Sequence, residues 1–170
     1  MTRRPKTAAA IDVGHRRVTL SLVAREADGL RLVRTASCQI AGDADAATLS
    51  RAIRQLRRQA RIPPMTASLG LSVSPIVLQT FDMPGHMPAN IREFIRNELR
   101  QYVAFSGRSI VCDFCMADSG EDSQKRLLAA AGERERVAAL LQACASAGLD
   151  IVAVEPSILA YARAACGHGR

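Results

Sequence analysis

Asp12 and Gly14 stand in the stretch Ile11-Asp12-Val13-Gly14, where an apolar run meets a glycine. A strand that turns through glycine presents backbone N–H groups that can cradle a phosphate. A carboxylate at the strand end can hold a metal through water. The same four residues also describe an ordinary glycine turn. A second constellation is cationic: Arg51, Arg54, Arg57, Arg58 and Arg61 crowd one segment, and Arg51, Arg54, Arg58 and Arg61 share a helical face. Such a face suits phosphate or lipid headgroups, or is simply the solvated side of an amphipathic helix. Cys112-Asp113-Phe114-Cys115 matches C-x-x-C. On a strand, however, positions three apart point to opposite faces. Chelation by this pair is geometrically poor, and no second pair follows. A redox motif needs a helix N-terminus, which is also lacking. His15, His86 and His168 follow no ligand spacing, no Gly-x-Ser-x-Gly elbow or Walker loop occurs, and the acidic groups Glu93/Glu98, Asp118/Glu121/Asp122 and Glu133/Glu135 read as surface. No catalytic set emerges.

The elements that would position these residues follow from apolar periodicity. Thr7–Val13 is a strand entering a turn at Gly14. Arg17–Arg25 alternates, with Val18, Leu20 and Leu22 facing one way, and is a half-buried strand. Ala27-Asp28-Gly29 is a hairpin signal, and Leu30–Gln39 returns, so the first forty residues form a three-stranded meander. Gly42 and Asp43 end it. Leu49, Ile53, Leu56 and Ala60 make one apolar stripe on a helix over Ala46–Ala60, which Pro63-Pro64 stops. Met65–Val73 and Ile76–Phe81 are strands joined through Ser74-Pro75. Residues 83–88 form a loop whose Pro88 suits the first turn of the next helix. That helix, Asn90–Tyr102, carries Ile91, Phe94, Ile95, Leu99 and Tyr102 on one face. Ser109–Met116 is a strand, Asp118–Asp122 a turn, and Gln124–Ala131 a strand that Gly132 ends. Glu133–Ala147 is a helix capped by Gly148. Ile151–Val154 is a short strand, and Pro156 opens a last helix.

The order βββ-α-β, β-α-β-β, α-β-α makes the middle block an insert in an α/β unit whose pieces lie far apart in sequence. The chain has 170 residues, room for one domain carrying a smaller insert, and 48% hydrophobic residues, enough for a real core. The formal charge, 23 − 16 = +7, allows nucleic acid, an anionic membrane face or an acidic protein partner. Aromatics at 4% with no Trp count against stacking on single-stranded bases. Five cysteines in apolar contexts, with no framework spacing, indicate a reducing, cytoplasmic compartment. No stretch reaches the ~20 apolar residues needed to span a bilayer. The basic start is not a secretory signal, because its apolar part breaks at Asp12.

Four stretches carry a family likeness. Ala10–Val23 (AIDVGHRRVTLSLV) is similar to an Ile-Asp-(Ile/Val)-Gly phosphate-loop hairpin. Leu78–Met83 with Pro84 is similar to a strand ending in a Glu-Leu-Pro type of turn. Glu98–Phe105 (ELRQYVAF) is similar to E-x-x-Q-Y-(I/V)-P-F. Ala147–Ala164 (AGLDIVAVEPSILAYARA) is similar to an Ala-Gly-Leu strand and helix ending in Arg-Ala. In this order they resemble the PilM family of actin-like type IV pilus assembly proteins, within the sugar kinase/actin/heat-shock ATPase superfamily. The resemblance implies an α/β, actin-like (ribonuclease-H-like) lobe, subdomain 1A, over residues 1–74 and 132–170. Residues 75–131 would be an inserted SHS2-type β-α-β-β subdomain, 1C.

It also implies a cytoplasmic scaffold peripheral to the inner membrane. Such a scaffold binds the N-terminal cytoplasmic tail of a PilN-like membrane protein, itself the companion of PilO, in a groove involving 1A and 1C. Gln101, Tyr102 and Phe105 are the expected groove residues, and components of the pilus ATPase ring are further expected partners. Phosphate binding would fall to Asp12, Gly14, His15, Arg16 and Arg17, with ATP and Mg bound in a full-length relative. No cofactor is required here and no catalysis is expected. The chain stops where a second lobe should begin, and His15, Arg16 and Arg17 replace the small residues expected after Gly14. A lone lobe would expose an apolar face, which predicts self-association. The competing readings are a nucleotide-binding, ATPase-like protein, and a basic helix (Arg51, Arg54, Arg58, Arg61) that binds anionic lipid or nucleic acid. The scaffold reading itself expects no nucleic acid.

Overall fold

The computed structural model describes residues 7–27, 29–42, 44–72, 76–83, 90–102, 105, 107–117 and 125–166. The turn at Asp118–Asp122, His86, Pro88, His168, the Ser74-Pro75 junction and the breakers Asp28 and Asp43 lie outside them. Two compact units are present, Met1–Val73 with Ala139–Arg170, and Ser74–Ala138.

The larger unit is built on a five-stranded sheet in the order β3-β2-β1-β4-β8. Its first three strands are β1 (Thr7–Gly14), β2 (Arg17–Glu26) and β3 (Gly29–Gln39). They form the expected antiparallel meander. Strands β4 (Met65–Ser72) and β8 (Leu149–Pro156) add in parallel on the other side of β1. Alternation fixes one buried face: Ala9, Ile11 and Val13 of β1, Val18, Leu20 and Leu22 of β2, and Ala67, Leu69 and Leu71 of β4. Helix α1 (Ala46–Gln59) presents Leu49, Ile53 and Leu56 to its unit's core. Each of these side chains contributes about 1.5–3 kcal/mol by leaving water. Asp45 caps this helix, its Oδ1 accepting the Thr48 N–H at 2.8 Å. That hydrogen bond holds the carboxyl below its ordinary range.

The smaller unit contains β5 (Ile76–Met83), α2 (Ile91–Arg100), β6 (Ile110–Ala117) and β7 (Lys125–Glu133). The sheet is antiparallel in the order β5-β7-β6. Its core joins Met83 to Ile95, Leu99, Phe105, Ile110, Leu127 and alternate alanines of β7. Helix α2 starts on a reciprocal cap. The Glu93 N–H donates to Asn90 Oδ1 and Asn90 Nδ2 donates to Glu93 Oε2 at 3.0 Å.

Several boundaries differ from the sequence reading. Gly132 does not end β7: it sits within the ladder, opposite Ile76 and Val111, because two flanking strands supply the partners that outweigh its weak strand preference. Strand β8 runs from Leu149 to Pro156, longer than the apolar core of its sequence, since pairing with β4 extends it. Pro156 closes that strand with extended backbone, and α4 (Ser157–Ala165) begins one residue later. Helix α2 stops at Arg100, leaving Gln101 and Tyr102 in the turn beyond it. Helix α3 spans Arg134–Ser146.

Candidate functional site

The end of β1 is the first place where the fold gathers polar side chains from distant segments. Asp12 Oδ1 accepts hydrogen bonds from Ser72 Oγ of β4, at 3.2 Å, and from Ser157 Oγ of α4. Strands β1 and β4 run parallel with Asp12 opposite Gly70, so their C-terminal ends lie side by side. Beyond Asp12 the chain turns through Gly14, His15 and Arg16. The Ile40 N–H donates to the Arg16 carbonyl at 3.1 Å and ties this turn to the end of β3. His15, Arg16 and Arg17 are exposed, and the His15 imidazole lies against Gly42, where any Cβ would collide with the ring. The fold thus keeps the expected phosphate-turn residues together. It adds Ser72, Ser157 and Gly70, which no local sequence signal announces.

Two of the crowded arginines, Arg54 and Arg57, have a structural part. Arg54 donates to the Ser146 carbonyl at 2.8 Å. Arg57 donates through Nε to the Ala147 carbonyl at 2.8 Å and through a terminal nitrogen to the Ile62 carbonyl at 3.1 Å. Ser146 and Ala147 end α3, so guanidinium groups of α1 satisfy carbonyls that a helix C-terminus leaves open. Arg34 of β3 does the same for α1, donating to the carbonyls of Ala60 and Arg61 at 3.3 and 2.7 Å. Arg51 is hydrogen-bonded to the Thr48 hydroxyl at 3.1 Å. Of the expected basic face, Arg54 is therefore committed to the fold, while Arg58 and Arg61 remain exposed.

The three expected groove residues part company. Gln101 and Tyr102 are exposed, but Phe105 is 1% exposed within the core of the smaller unit. Its ring is a packing element, because the turn after α2 folds it back among Ile95, Leu99 and Ile110. Cys112 and Cys115 alternate on β6, the first half-buried and the second exposed, as strand geometry requires. Among the described residues no three His, Cys, Asp or Glu side chains gather to hold a metal, and no helix is long and apolar enough to cross a membrane.

No protein-family profile and no curated protein matches the chain by sequence. Its architecture does have solved counterparts. A chain of the PilM-PilN type IV pilus biogenesis complex superposes with a TM-score of 0.74 and 25% identity, over 90% of this chain. The fold is that of PilM. The cytoplasmic domain of EpsL, an inner-membrane component of the type II secretion system of Vibrio cholerae, superposes with a TM-score of 0.61 and 17% identity over 91% of this chain. The likeness to EpsL shows the fold alone, and both counterparts are actin-like. The chain spans about half the length of these counterparts, 48% of the PilM chain and 59% of the EpsL domain.

Proposed function

We propose that this protein is an assembly component of a type IV pilus or related secretion machine. In this reading it is a scaffold at the cytoplasmic face of the inner membrane that binds the N-terminal tail of a PilN-like membrane protein. One observation carries it: the superposition at 25% identity, over nearly the whole chain, on a protein solved in complex with PilN. The smaller unit then takes the place of the inserted SHS2-type subdomain, and the role is structural rather than catalytic, with no cofactor needed. Components of the pilus ATPase ring are further partners in this proposal. Self-association would use the exposed apolar residues Ile158 and Tyr161 of α4, each 59% exposed.

An extended tail docks by main-chain hydrogen bonds supplemented by side-chain pockets. Of the expected contact residues, Gln101 and Tyr102 are the ones at the surface. The test is fluorescence anisotropy with a labelled peptide copying the tail of a PilN-like partner, titrated at low and high salt. Saturable binding that survives salt, and weakens about tenfold or more in Tyr102→Ala, is the expected result. Absence of binding at either salt concentration overturns the tail-binding role. Binding that vanishes on adding salt would reassign the contact to non-specific attraction by the basic surface.

A further inference from the structure

Helix α4 buries little of its own surface. It is nine residues long, short for a helix to persist without tertiary support. Of its residues only Ser157 is buried, at 3% exposure. The Arg163–Glu155 ion pair, in which one guanidinium nitrogen reaches both carboxylate oxygens, ties it back to β8 at a partly exposed surface, where such pairs contribute modestly. Beside the half-buried Leu159 and Ala160, a polar anchor is Ser157 Oγ, which donates to Asp12 Oδ1 across 145 positions of sequence.

The room for this contact comes from Gly70. A Cβ there would stand 2.8 Å from Ser157 Oγ and 3.2 Å from Asp12 Oδ1, so the volume that a side chain would occupy is filled by the two contact atoms. Ser72 adds a second hydroxyl to the same oxygen at 3.2 Å. The carboxylate also lies at the N-terminal end of α4, where the helix dipole favours negative charge.

We infer that Asp12 is the acceptor of a clasp that fastens α4 to the C-terminal ends of β1 and β4, and that this use replaces the metal role the fold offers a carboxylate at this point. Magnesium with a nucleotide fits this arrangement poorly. The ion would compete with two serine hydroxyls for Asp12 Oδ1, and the turn that should wrap the phosphates carries three large side chains, His15, Arg16 and Arg17. The inference is independent of the tail-binding proposal, since it concerns how the larger unit holds its last helix.

The experiment uses the full chain and reads amide hydrogen exchange of α4 together with the melting temperature. Asp12→Ala and Ser157→Ala should each speed exchange across α4 by about tenfold, as loss of a charge-assisted hydrogen bond predicts. The double variant should be no worse than the more severe single one. Gly70→Ala supplies an independent test should Asp12→Ala fail to fold. It should loosen α4 when Ser157 is present, because the new methyl pushes the hydroxyl away, and should be nearly silent in Ser157→Ala. Additive effects of Asp12 and Ser157, or a Gly70→Ala effect that is the same with and without the Ser157 hydroxyl, overturns the clasp. Magnesium-ATP should leave the melting temperature of the unsubstituted protein unchanged. A rise that is lost in Asp12→Ala would return the carboxylate to metal binding and overturn the inference.

Discussion

Burial pushes the Cys144 thiol up to about 11, because the thiolate would lose its water inside the α3 face of the larger unit. The linkage has a definite sign. The unfolded thiol ionises near its ordinary value of 9.0, while the folded one holds its proton to about 11. Stability from this group is therefore complete below about pH 9 and is lost as pH rises through the folded value. Chemical unfolding followed at pH 8, 9, 10 and 11 should show a fall over that range that is reduced in Cys144→Ala after allowance for the variant's lower baseline. An unchanged alkaline slope would contradict the assignment. The same burial predicts that Cys144 resists thiol reagents at neutral pH until the unit unfolds. Cys38 shifts in the same direction for the same reason.

The element that departs most from local preference is the end of α1. The Arg61 N–H donates to the Arg58 carbonyl and the Ile62 N–H to the Arg57 carbonyl, at 3.1 and 2.9 Å. This is the Schellman pattern, which places the residue after the cap in the left-handed region, and Arg61 has φ of 50°. At the equivalent end of α3 the chain uses Gly148, with φ of 81°. An arginine in that conformation is strained by the approach of its Cβ to the following carbonyl. Arg61→Gly should therefore raise stability by about 0.5–1 kcal/mol, the relief being partly offset by the freer unfolded chain. Urea melts of the two proteins would check this, and a loss of stability would mean that the Arg61 side chain has a contact outweighing the strain. The hydrogen bond from Arg34 goes to the Arg61 carbonyl, a backbone partner that the substitution keeps.

On the scale of the whole molecule, the smaller unit has a core drawn entirely from its own segment, Met83 to Ala131. Phe105 is among its largest fully buried side chains. Truncating a buried Phe to Ala costs about 3–5 kcal/mol. Phe105→Ala should therefore accelerate hydrogen exchange throughout β5, β6 and β7 while leaving β1, β2 and β4 protected as before. Equal loss in both sheets would show that the two units unfold as one cooperative block.

The periods of the sequence determined most of the elements. Val18, Leu20 and Leu22 alternate because one face of a sheet must be buried. Leu49, Ile53 and Leu56 recur at helical spacing because one side of α1 must be. Turn and cap chemistry is similarly local, so Gly148 could be read as the end of α3 before any packing was known. What tertiary structure alone decided depends on residues that meet across long stretches of chain. Gly132 looked like a breaker, but the partner strands β5 and β6 hold it in the ladder. Phe105 belonged to a family-like motif and looked suited to a partner, but the turn after α2 folds it into the core. The arginine-rich helix read either as a patch for anions or as a solvated face, and only the fold brings the end of α3 within reach of Arg54 and Arg57. Ser157 stands 145 positions from Asp12, and no periodic pattern encodes a contact at that range. Hydrogen-bond partners are set by distance in space, while sequence periodicity records only which face of an element turns away from water.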